Sequence, residues 1–323
     1  MAEMNDIYSV ARVRVKEKYL LTDTDIEQLL QMKDEAAVLG MLSDKGWGKD
    51  VTEPDAHAML ASEEARAAAD LRDLCPDPDV LEVLEYPDLY HNLKTGIKEI
   101  CTEGNHPGAF YEGNALGRAK IIEILREKAY DKLPDHMRLA ARNAYETMTQ
   151  TMDGQMCDIM VDRACLCASR EKAEGSKHDI LKDYVEQLIV TSDIRMAVRG
   201  ARTGKSAVFM KAALAPCRSF DVSKMAVAAA EGWDALRVFL DDAGFSEATE
   251  ALAVSDPAFE KWCDDRIAHT VKPHRRNTFG VGPVVAYYLA RKNEIKTVRM
   301  MLTAKANGLS EKSIRERIRR MYV

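Results

Sequence analysis

Hydrophobic side chains recur at the helical period along most of this chain. Between residues 181 and 189, apolar side chains follow the i, i+3, i+4 spacing that places them on one helix face. Comparable stripes fall at residues 26–30, 121–125, 284–289 and 295–302. Alternating runs of Val, Ile and Thr between tight-turn dipeptides, which would predict strands, do not occur. The pattern therefore predicts an all-α protein.

Local signals predict where several of these helices begin and end. Asp23 or Thr24 is a candidate N-cap, and Glu27 lies three residues after Thr24, as a capping box requires. Pro283 suits the first turn of a long helix. Proline lacks a backbone N–H, and the N–H groups of the first turn have no acceptor within the helix. Asn307–Gly308 predicts a left-handed cap at the end of the same helix.

One short pattern recurs three times. Asn92–Lys98 and Asp193–Arg199 both read polar, aliphatic, basic, any residue, small, aliphatic, basic, and Glu294–Arg299 repeats the first half. Successive copies lie 101 positions apart. A fixed period of this length predicts repeated structural units. Chance recurrence of common basic and aliphatic residues is the alternative.

The period also sets the expected domain boundaries. It predicts three related helical units, at residues 1–121, 122–222 and 223–323. Within them, some positions are expected to have a repeat or structural role rather than a chemical one. These positions are Asn92, Lys94, Asp193, Glu294 and Lys296, together with Gly280 and Pro283 before the last copy.

The composition agrees with packed helical units. Hydrophobic residues make up 46% of the chain and charged residues 30%, which allows both a buried core and a solvated surface. The net charge of −6 gives no global electrostatic reason to bind nucleic acid. Seven irregularly spaced cysteines suit reduced thiols in a cytoplasmic protein better than a disulfide framework. Because no run of 18 apolar residues is present, we expect no transmembrane helix.

Gly200–Ser206 resembles a phosphate-binding loop but departs from it in two respects. Only three residues separate Gly200 from Gly204, whereas the loop needs four to wrap its N–H groups around a phosphate. The preceding residues also read as a helix, where the motif requires a buried strand. We therefore expect a turn after a helix, with Gly204 as its cap. A nucleotide-binding enzyme that uses this loop is a less favoured alternative.

Other candidate chemistry is sparse. Cys165 and Cys167 would point away from each other on a helix, which disfavours a shared metal ion. The seven histidines are scattered, and neither a nucleophile elbow nor a complete dinucleotide-binding motif occurs. We therefore expect no catalytic residues, no cofactor and no metal.

Two groups of basic residues are candidates for contact with a partner. One surrounds Gly200, and the other lies in the C-terminal tail, in and after a short helix that Ser310 is expected to open. The first group could meet an acidic partner surface, and the second could contact nucleic acid or a membrane surface. Solvated helix faces also carry such residues, and they are the alternative for both groups. The candidate interface residues are Arg195, Arg199, Arg202 and Lys205 in the first group, and Arg315 and Arg319 in the second.

Several separate segments together resemble the C-subunit family of V-type (A-type) ATPases, which is related to the d subunit of the eukaryotic V-ATPase. They are Tyr8–Arg14, Asp88–Lys94, Phe279–Arg299 and Gly308–Arg317. The resemblance spans the whole chain. It departs from the family pattern at Thr191–Arg195, where an Asp-Leu-x-Asn-like run is usual, but the aliphatic spacing is kept there.

The resemblance implies a fold and a role. The fold is an all-helical funnel of three similar domains with a pseudo-threefold arrangement. The role is that of a non-catalytic rotor subunit in the central stalk, between the shaft subunits (D and F type) and the membrane proteolipid ring. Such a subunit transmits the torque that couples ATP hydrolysis or synthesis to proton or sodium transport, and it is a cytoplasmic, peripheral member of the complex. A free-standing helical-repeat binding scaffold is the alternative.

Overall fold

The protein is helical throughout the part of the chain that the structure describes. A computed structural model describes residues 2–52, 55–75, 77–111, 114–319 and 321–322. Within these ranges the backbone forms α-helices and three short 3₁₀ helices, and no strand. The all-α class predicted from the hydrophobic period is confirmed.

The α-helices differ widely in length, from five to 25 residues. In chain order they are α1 (Ala2–Glu17), α2 (Asp23–Gln31), α3 (Glu35–Asp44), α4 (Ala56–Leu74), α5 (Pro78–Cys101), α6 (Arg118–Glu127), α7 (Asp135–Thr151), α8 (Gly154–Gly175), α9 (Asp179–Arg202), α10 (Ala207–Ala213), α11 (Val222–Glu231), α12 (Trp233–Asp242), α13 (Ser246–Val254), α14 (Asp256–Val271), α15 (Gly282–Ala306) and α16 (Glu311–Arg315). The 3₁₀ helices are Pro107–Ala109, Tyr130–Lys132 and Lys272–Arg276.

Contacts along the chain divide it into two compact units. The first combines residues 1–80 with 246–323, and the second contains residues 81–245. In the first unit, α15 packs against α1, α4 and α14. In the second, α8 packs against α7 and α9, and α11 packs against α9, α10 and α12. The three repeat-based units predicted above rest on internal similarity, which is a different criterion, and they stay a prediction.

Most of the predicted helix ends are found in the structure. Pro283 occupies the first turn of α15, and Gly308 follows that helix in the left-handed region with φ of +65°. Ser310 caps α16, because its hydroxyl accepts the N–H of Ser313. These signals act within a few residues, so they could be read from the sequence alone.

The predicted cap of α2 is wrong by one to two residues. The helix is capped by Thr22, whose hydroxyl accepts the N–H of Asp25 at 3.2 Å. The Asp25 carboxylate in turn accepts the Thr22 N–H at 2.9 Å, which completes the capping box. Two overlapping capping boxes are possible in this segment, one from Thr22 to Asp25 and one from Thr24 to Glu27. The earlier one is formed, and Asp25 also pairs with Lys45 at 2.6 Å.

Gly96, in the first repeat, allows close packing of α5 against α6. A methyl group at this position would overlap the Ile121 side chain, whose exposed fraction is 0%. Replacing Gly96 with alanine is therefore expected to lower the free energy of unfolding by about 1–3 kcal/mol. Urea denaturation followed by circular dichroism would measure this change.

Gly175 provides the matched control for that substitution. It lies at the end of α8, and no atom lies within 4 Å of a methyl group added there. Alanine at position 175 should leave stability unchanged or raise it slightly, because alanine favours helix more than glycine does. An equal response at both positions would mean that the α5–α6 contact is not tight.

Candidate functional site

The first residue of each repeat is a polar side chain buried inside a long helix. Asn92 lies in α5, Asp193 in α9 and Glu294 in α15, with exposed fractions of 0%, 1% and 2%. These helices have 24, 24 and 25 residues. A polar group buried in a helix is costly unless it is hydrogen-bonded, so the partners of these side chains define their role.

Asn92 binds a non-helical segment of the second unit. Its Oδ1 accepts the N–H of Tyr111 at 2.8 Å, and its Nδ2 donates to the carbonyl groups of Tyr111 and Leu116 at 2.8 and 3.0 Å. The single amide group therefore satisfies three backbone groups that have no helical partner. This arrangement holds Tyr111 and Leu116 against α5.

Asp193 and Glu294 bind their segments in the same manner. Both oxygens of Asp193 accept the N–H of Ala215, at 3.1 and 3.2 Å. Glu294 accepts the N–H of Leu21 at 2.8 Å. Asn92, Asp193 and Glu294, which we call the repeat acceptors, therefore share one function, which is to accept a backbone N–H from a non-helical segment. Their assignment as structural positions rested on spacing alone, and these contacts supply a physical reason for it.

Two of the repeated basic residues form ion pairs. Lys94 lies 2.7 Å from Asp162, and Lys296 lies 2.9 Å from both oxygens of Asp264. Asp264 also accepts from Arg319. Although burial raises the pKa of Asp264, the adjacent Lys296 and Arg319 charges hold it below its ordinary value. These pairs join α5 to α8, and α15 to α14 and the C-terminal tail.

Glu294, in the third repeat, belongs to a cluster of buried charges that the sequence pattern did not predict. Arg291 donates to Glu294 at 2.6 Å and to Glu63 of α4, and its guanidinium carbon lies 4.6 Å from the centre of the Trp47 ring. Glu63 also accepts the Gly48 N–H at 2.9 Å. We call Glu63, Arg291 and Glu294 the buried charge cluster.

One sequence signal could have revealed this cluster. Glu63 occupies a position of α4 that lies in line with the buried Leu60 and Ala67. A carboxylate on an apolar helix face requires a partner, and Arg291 is correspondingly placed among the apolar residues of α15. Burial lowers the pKa of Arg291, but the charges of Glu294 and Glu63 raise it by more. The pKa therefore lies above the ordinary arginine value, and the guanidinium stays charged.

The structure excludes a phosphate-binding loop at Gly200–Ser206. Residues 179–202 form α9 rather than a strand, and Gly204 follows with φ of +63°. The Lys205 N–H donates to the Gly200 carbonyl at 3.0 Å, which closes a helix-capping turn. The predicted cap at Gly204 is confirmed. Gly200 instead allows close packing, because an added methyl group would overlap the Met210 sulfur.

The basic cluster (Arg195, Arg199, Arg202 and Lys205) lies on the last two turns of α9 and the turn that follows. Arg199 is exposed. Arg195 and Arg202 each interact within the protein, so they are not free charges. Lys205 donates to Gln155 at 2.9 Å, and its Nζ lies 4.9 Å from the centre of the Phe209 ring. The structure thus brings these four residues to one end of α9, and their role at an interface stays a prediction.

The two tail arginines bind other helices of the first unit. Arg315 donates to both oxygens of Glu27 in α2, at 2.6 and 2.8 Å, and to Glu311 at 2.8 Å. Arg319 pairs with Asp264 of α14, and both side chains are 11% exposed. Contact of either arginine with a partner would therefore compete with an intramolecular ion pair. Their interface role also stays a prediction.

Gly280 and Pro283 lie at the start of α15, where their backbone conformations suit a helix N-terminus. Gly280 has φ of +82°, a backbone conformation that favours glycine, and it lies two residues before the helix begins. Pro283 is buried in the first turn.

Cys165 and Cys167 both lie on α8 as free thiols, the first buried and the second half-buried.

The described residues include neither a metal site nor a membrane-spanning helix. No group of three His, Cys, Asp or Glu side chains there is placed to hold a metal ion. None of the helices in the described ranges is both long enough and apolar enough to cross a membrane.

Comparison with known proteins gives consistent matches across the chain. The family model described as ATP synthase (C/AC39) subunit matches residues 9–317. The C subunit of the V-type sodium ATPase of Enterococcus hirae is 21% identical over 318 residues, which covers 96% of this chain and 97% of that protein. The C subunit of the A-type ATP synthase of Methanocaldococcus jannaschii is 23% identical over 339 residues, which covers 95% of this chain and 84% of that protein.

Proposed function

Because this chain belongs to the ATP synthase (C/AC39) subunit family, and is therefore a subunit of a rotary ATPase, we propose that it is a non-catalytic component of the central rotor. In this role it links the central-shaft subunits (D and F type) to the membrane proteolipid ring. It transmits the torque that couples ATP hydrolysis or synthesis to proton or sodium transport. The observation that carries this proposal is the family match over residues 9–317, which covers nearly the whole chain.

Torque transmission requires a body that resists twisting, and the packing supports this. The three longest helices each have 24 or 25 residues. Each holds a repeat acceptor that ties a non-helical segment to it. Close-packed interiors have low compressibility and transmit strain. Buried hydrogen bonds add to this stiffness, because a segment can move only if it breaks them.

The helix caps support the further proposal of three similar domains at residues 1–121, 122–222 and 223–323. The N-caps of α4, α8 and α14 are Asp55, Asp153 and Ser255, which lie 98 and 102 positions apart. Each side chain accepts an N–H three residues later, at 2.6, 2.9 and 3.1 Å respectively. This recurrence is separate from the repeat acceptors and has nearly the same period. We propose that the three domains form a pseudo-threefold funnel.

We also propose a location and a set of interactions. The protein is peripheral, on the cytoplasmic side of the membrane, and associates with it through the complex. It uses no cofactor and binds no nucleic acid. The basic cluster contributes to one of the two interfaces, a role supported by the exposure of Arg199 at the end of α9.

A reconstitution experiment tests the rotor role. The purified chain is mixed with the shaft subunits and the detergent-solubilised proteolipid ring from the same organism, and complexes are recovered through a tag on the shaft. We expect the ring to be recovered only when this chain is present, at stoichiometric amounts. Recovery of neither partner would contradict the proposal and leave the chain as a helical scaffold of another kind.

A charge reversal in the same assay tests the basic cluster. The variant Arg199→Glu is expected to weaken capture of one partner, because two units of charge change at an exposed position. Arg126→Glu, an equally exposed change at the end of α6, is the matched control and should bind as the wild type does. Unchanged capture of both partners by both variants would show that the cluster is only a solvated helix end.

A further inference from the structure

One loop of the first unit carries more positive charge than its neighbours neutralise. Residues 272–280, which begin with the 3₁₀ helix Lys272–Arg276, contain three Lys or Arg residues and no acidic residue. Lys272 and Arg276 are exposed, and neither side chain forms an ion pair within the described ranges. The preceding acidic residue, Asp265, lies seven positions before Lys272 on α14 and interacts within the protein. We call residues 272–280 the basic loop.

The third cation of the basic loop shares its carboxylate with another cation. Arg275 lies 3.6 Å from the Glu17 carboxylate, which also pairs with Arg14 of α1 at 2.9 Å. Together with Lys272 and Arg276, this group has four cations and one carboxylate, which leaves three net positive charges. The whole chain has a net charge of −6, so the loop is a local region of opposite sign.

Contacts at the start of α15 fix the shape of the basic loop. A methyl group added to Gly282 would lie 3.1 Å from the Asn277 side chain and 3.3 Å from His274, so the chain turns back on itself between Asn277 and Gly282. Gly280, with φ of +82°, allows this turn. Phe279 lies at the tip of the turn, and its side chain is 59% exposed. The tip is therefore an apolar ring on a convex part of the surface.

The surroundings of Phe279 distinguish it from an ordinary exposed apolar residue. Single exposed apolar side chains are common on protein surfaces and need no explanation. Phe279, however, lies three positions from the unpaired Arg276, on a loop that has no negative charge. Apolar side chains next to Lys and Arg are the combination by which peripheral proteins enter the headgroup region of a membrane. A protein partner would instead need a broad contact and a pocket for the ring, and a convex tip offers little contact area.

We propose that the basic loop binds the surface of a bilayer that contains anionic lipids. The Phe279 ring enters the boundary between headgroups and acyl chains, while Lys272 and Arg276 contact the lipid phosphate groups. One ring and a few charges give weak, reversible binding. This direct contact with lipid would add to the attachment through the complex that is proposed above, and it does not depend on the rotor role.

Vesicle flotation measures this binding directly. The purified full-length protein is mixed with vesicles of phosphatidylcholine alone, or of equal parts phosphatidylcholine and phosphatidylglycerol, and the vesicles are floated through a density gradient. We expect the protein to float with the anionic vesicles and to stay behind with the neutral ones. High salt should reduce the bound fraction, because it screens the attraction between exposed charges.

Two variants with matched controls test the two parts of the contact. Arg276→Glu is expected to weaken binding to anionic vesicles about tenfold, because it replaces an attractive charge with a repulsive one. Lys33→Glu, at an exposed position between α2 and α3, is its control and should bind as the wild type does. Phe279→Ser should also weaken binding about tenfold, because it removes the inserted ring. Its control is Val254→Ser, which removes a 78% exposed apolar side chain at the end of α13.

All four positions are exposed, so the variants should fold normally, which thermal melting curves would verify. Three results would overturn the proposal. The first is no flotation with anionic vesicles at low salt, and the second is equal binding to neutral and anionic vesicles. The third is equal binding by each variant and its control, which would place any lipid contact elsewhere.

The capture assay described above separates this proposal from the rotor role. That assay uses a detergent-solubilised ring, so failure of vesicle binding would leave the rotor role intact. If the wild type did not bind vesicles and Arg276→Glu lost capture of the ring, the basic loop would bind an acidic protein surface, and the lipid proposal would be wrong.

Discussion

Replacing Arg291 with alanine is expected to lower the free energy of unfolding by about 3–5 kcal/mol. The substitution leaves Glu63 and Glu294 buried, with exposed fractions of 0% and 2%, and without the guanidinium that lies between them. An uncompensated buried carboxylate costs far more than a lost surface ion pair, because its charge has been removed from water. Urea denaturation of the purified protein, followed by circular dichroism, would measure the loss.

Arg299 offers a control on the same helix. It pairs with Glu64 at 2.7 Å, but its side chain is 42% exposed. Alanine at position 299 should cost at most about 1 kcal/mol, because water screens an exposed pair. If the two variants lost the same stability, the buried charge cluster would contribute no more than a surface ion pair.

The stability of the protein is expected to fall as pH rises from about 5 to 8, with a contribution of a few kcal/mol from Asp193. Burial raises the pKa of Asp193 to about 8, although the Ala215 N–H and the nearby Arg163 charge oppose the rise, and Glu186 adds to it. The unfolded chain has an ordinary aspartate pKa near 3.9. Between these two values the folded protein keeps a proton that the unfolded chain releases. Stability is therefore fully present below the lower value and is lost as pH approaches the higher one.

Asn at position 193 isolates this effect. The variant Asp193→Asn keeps an acceptor for the Ala215 N–H but cannot titrate in this range. Urea unfolding at pH 5 and pH 8.5 should show a smaller pH-dependent loss in the variant than in the wild type. The same loss in both proteins would mean that other groups, and not Asp193, determine the pH dependence.

The features that could be predicted from the sequence are those that depend on residues close together in the chain. The helical class, the first turn at Pro283 and the left-handed cap at Gly308 follow from residues close in sequence. The α2 cap was misplaced because two boxes overlap within a few residues, and choosing between them depends on contacts such as that of Asp25 with Lys45. Local rules give candidates for a helix end, and packing selects among them.

The buried charge cluster could not be predicted as a cluster. Arg291 and Glu63 are 228 positions apart, and neither segment carries a sequence signal that identifies the other as its partner. The repeat identified Glu294 as a special position, but only the structure shows that it accepts the Leu21 N–H. The basic cluster at the end of α9 was located by sequence, and its role at an interface stays a prediction.

The repeat acceptors show which property the three copies of the sequence pattern share. An amide, a carboxyl group, and a carboxylate shared with a guanidinium occupy corresponding places, and each accepts one backbone N–H in the buried interior. The constant element is thus a hydrogen-bond acceptor rather than a type of amino acid. A count of identical residues misses this likeness, because it scores Asn, Asp and Glu as differences although each of them can accept the same hydrogen bond. Segments that differ in sequence can therefore keep the same buried contact.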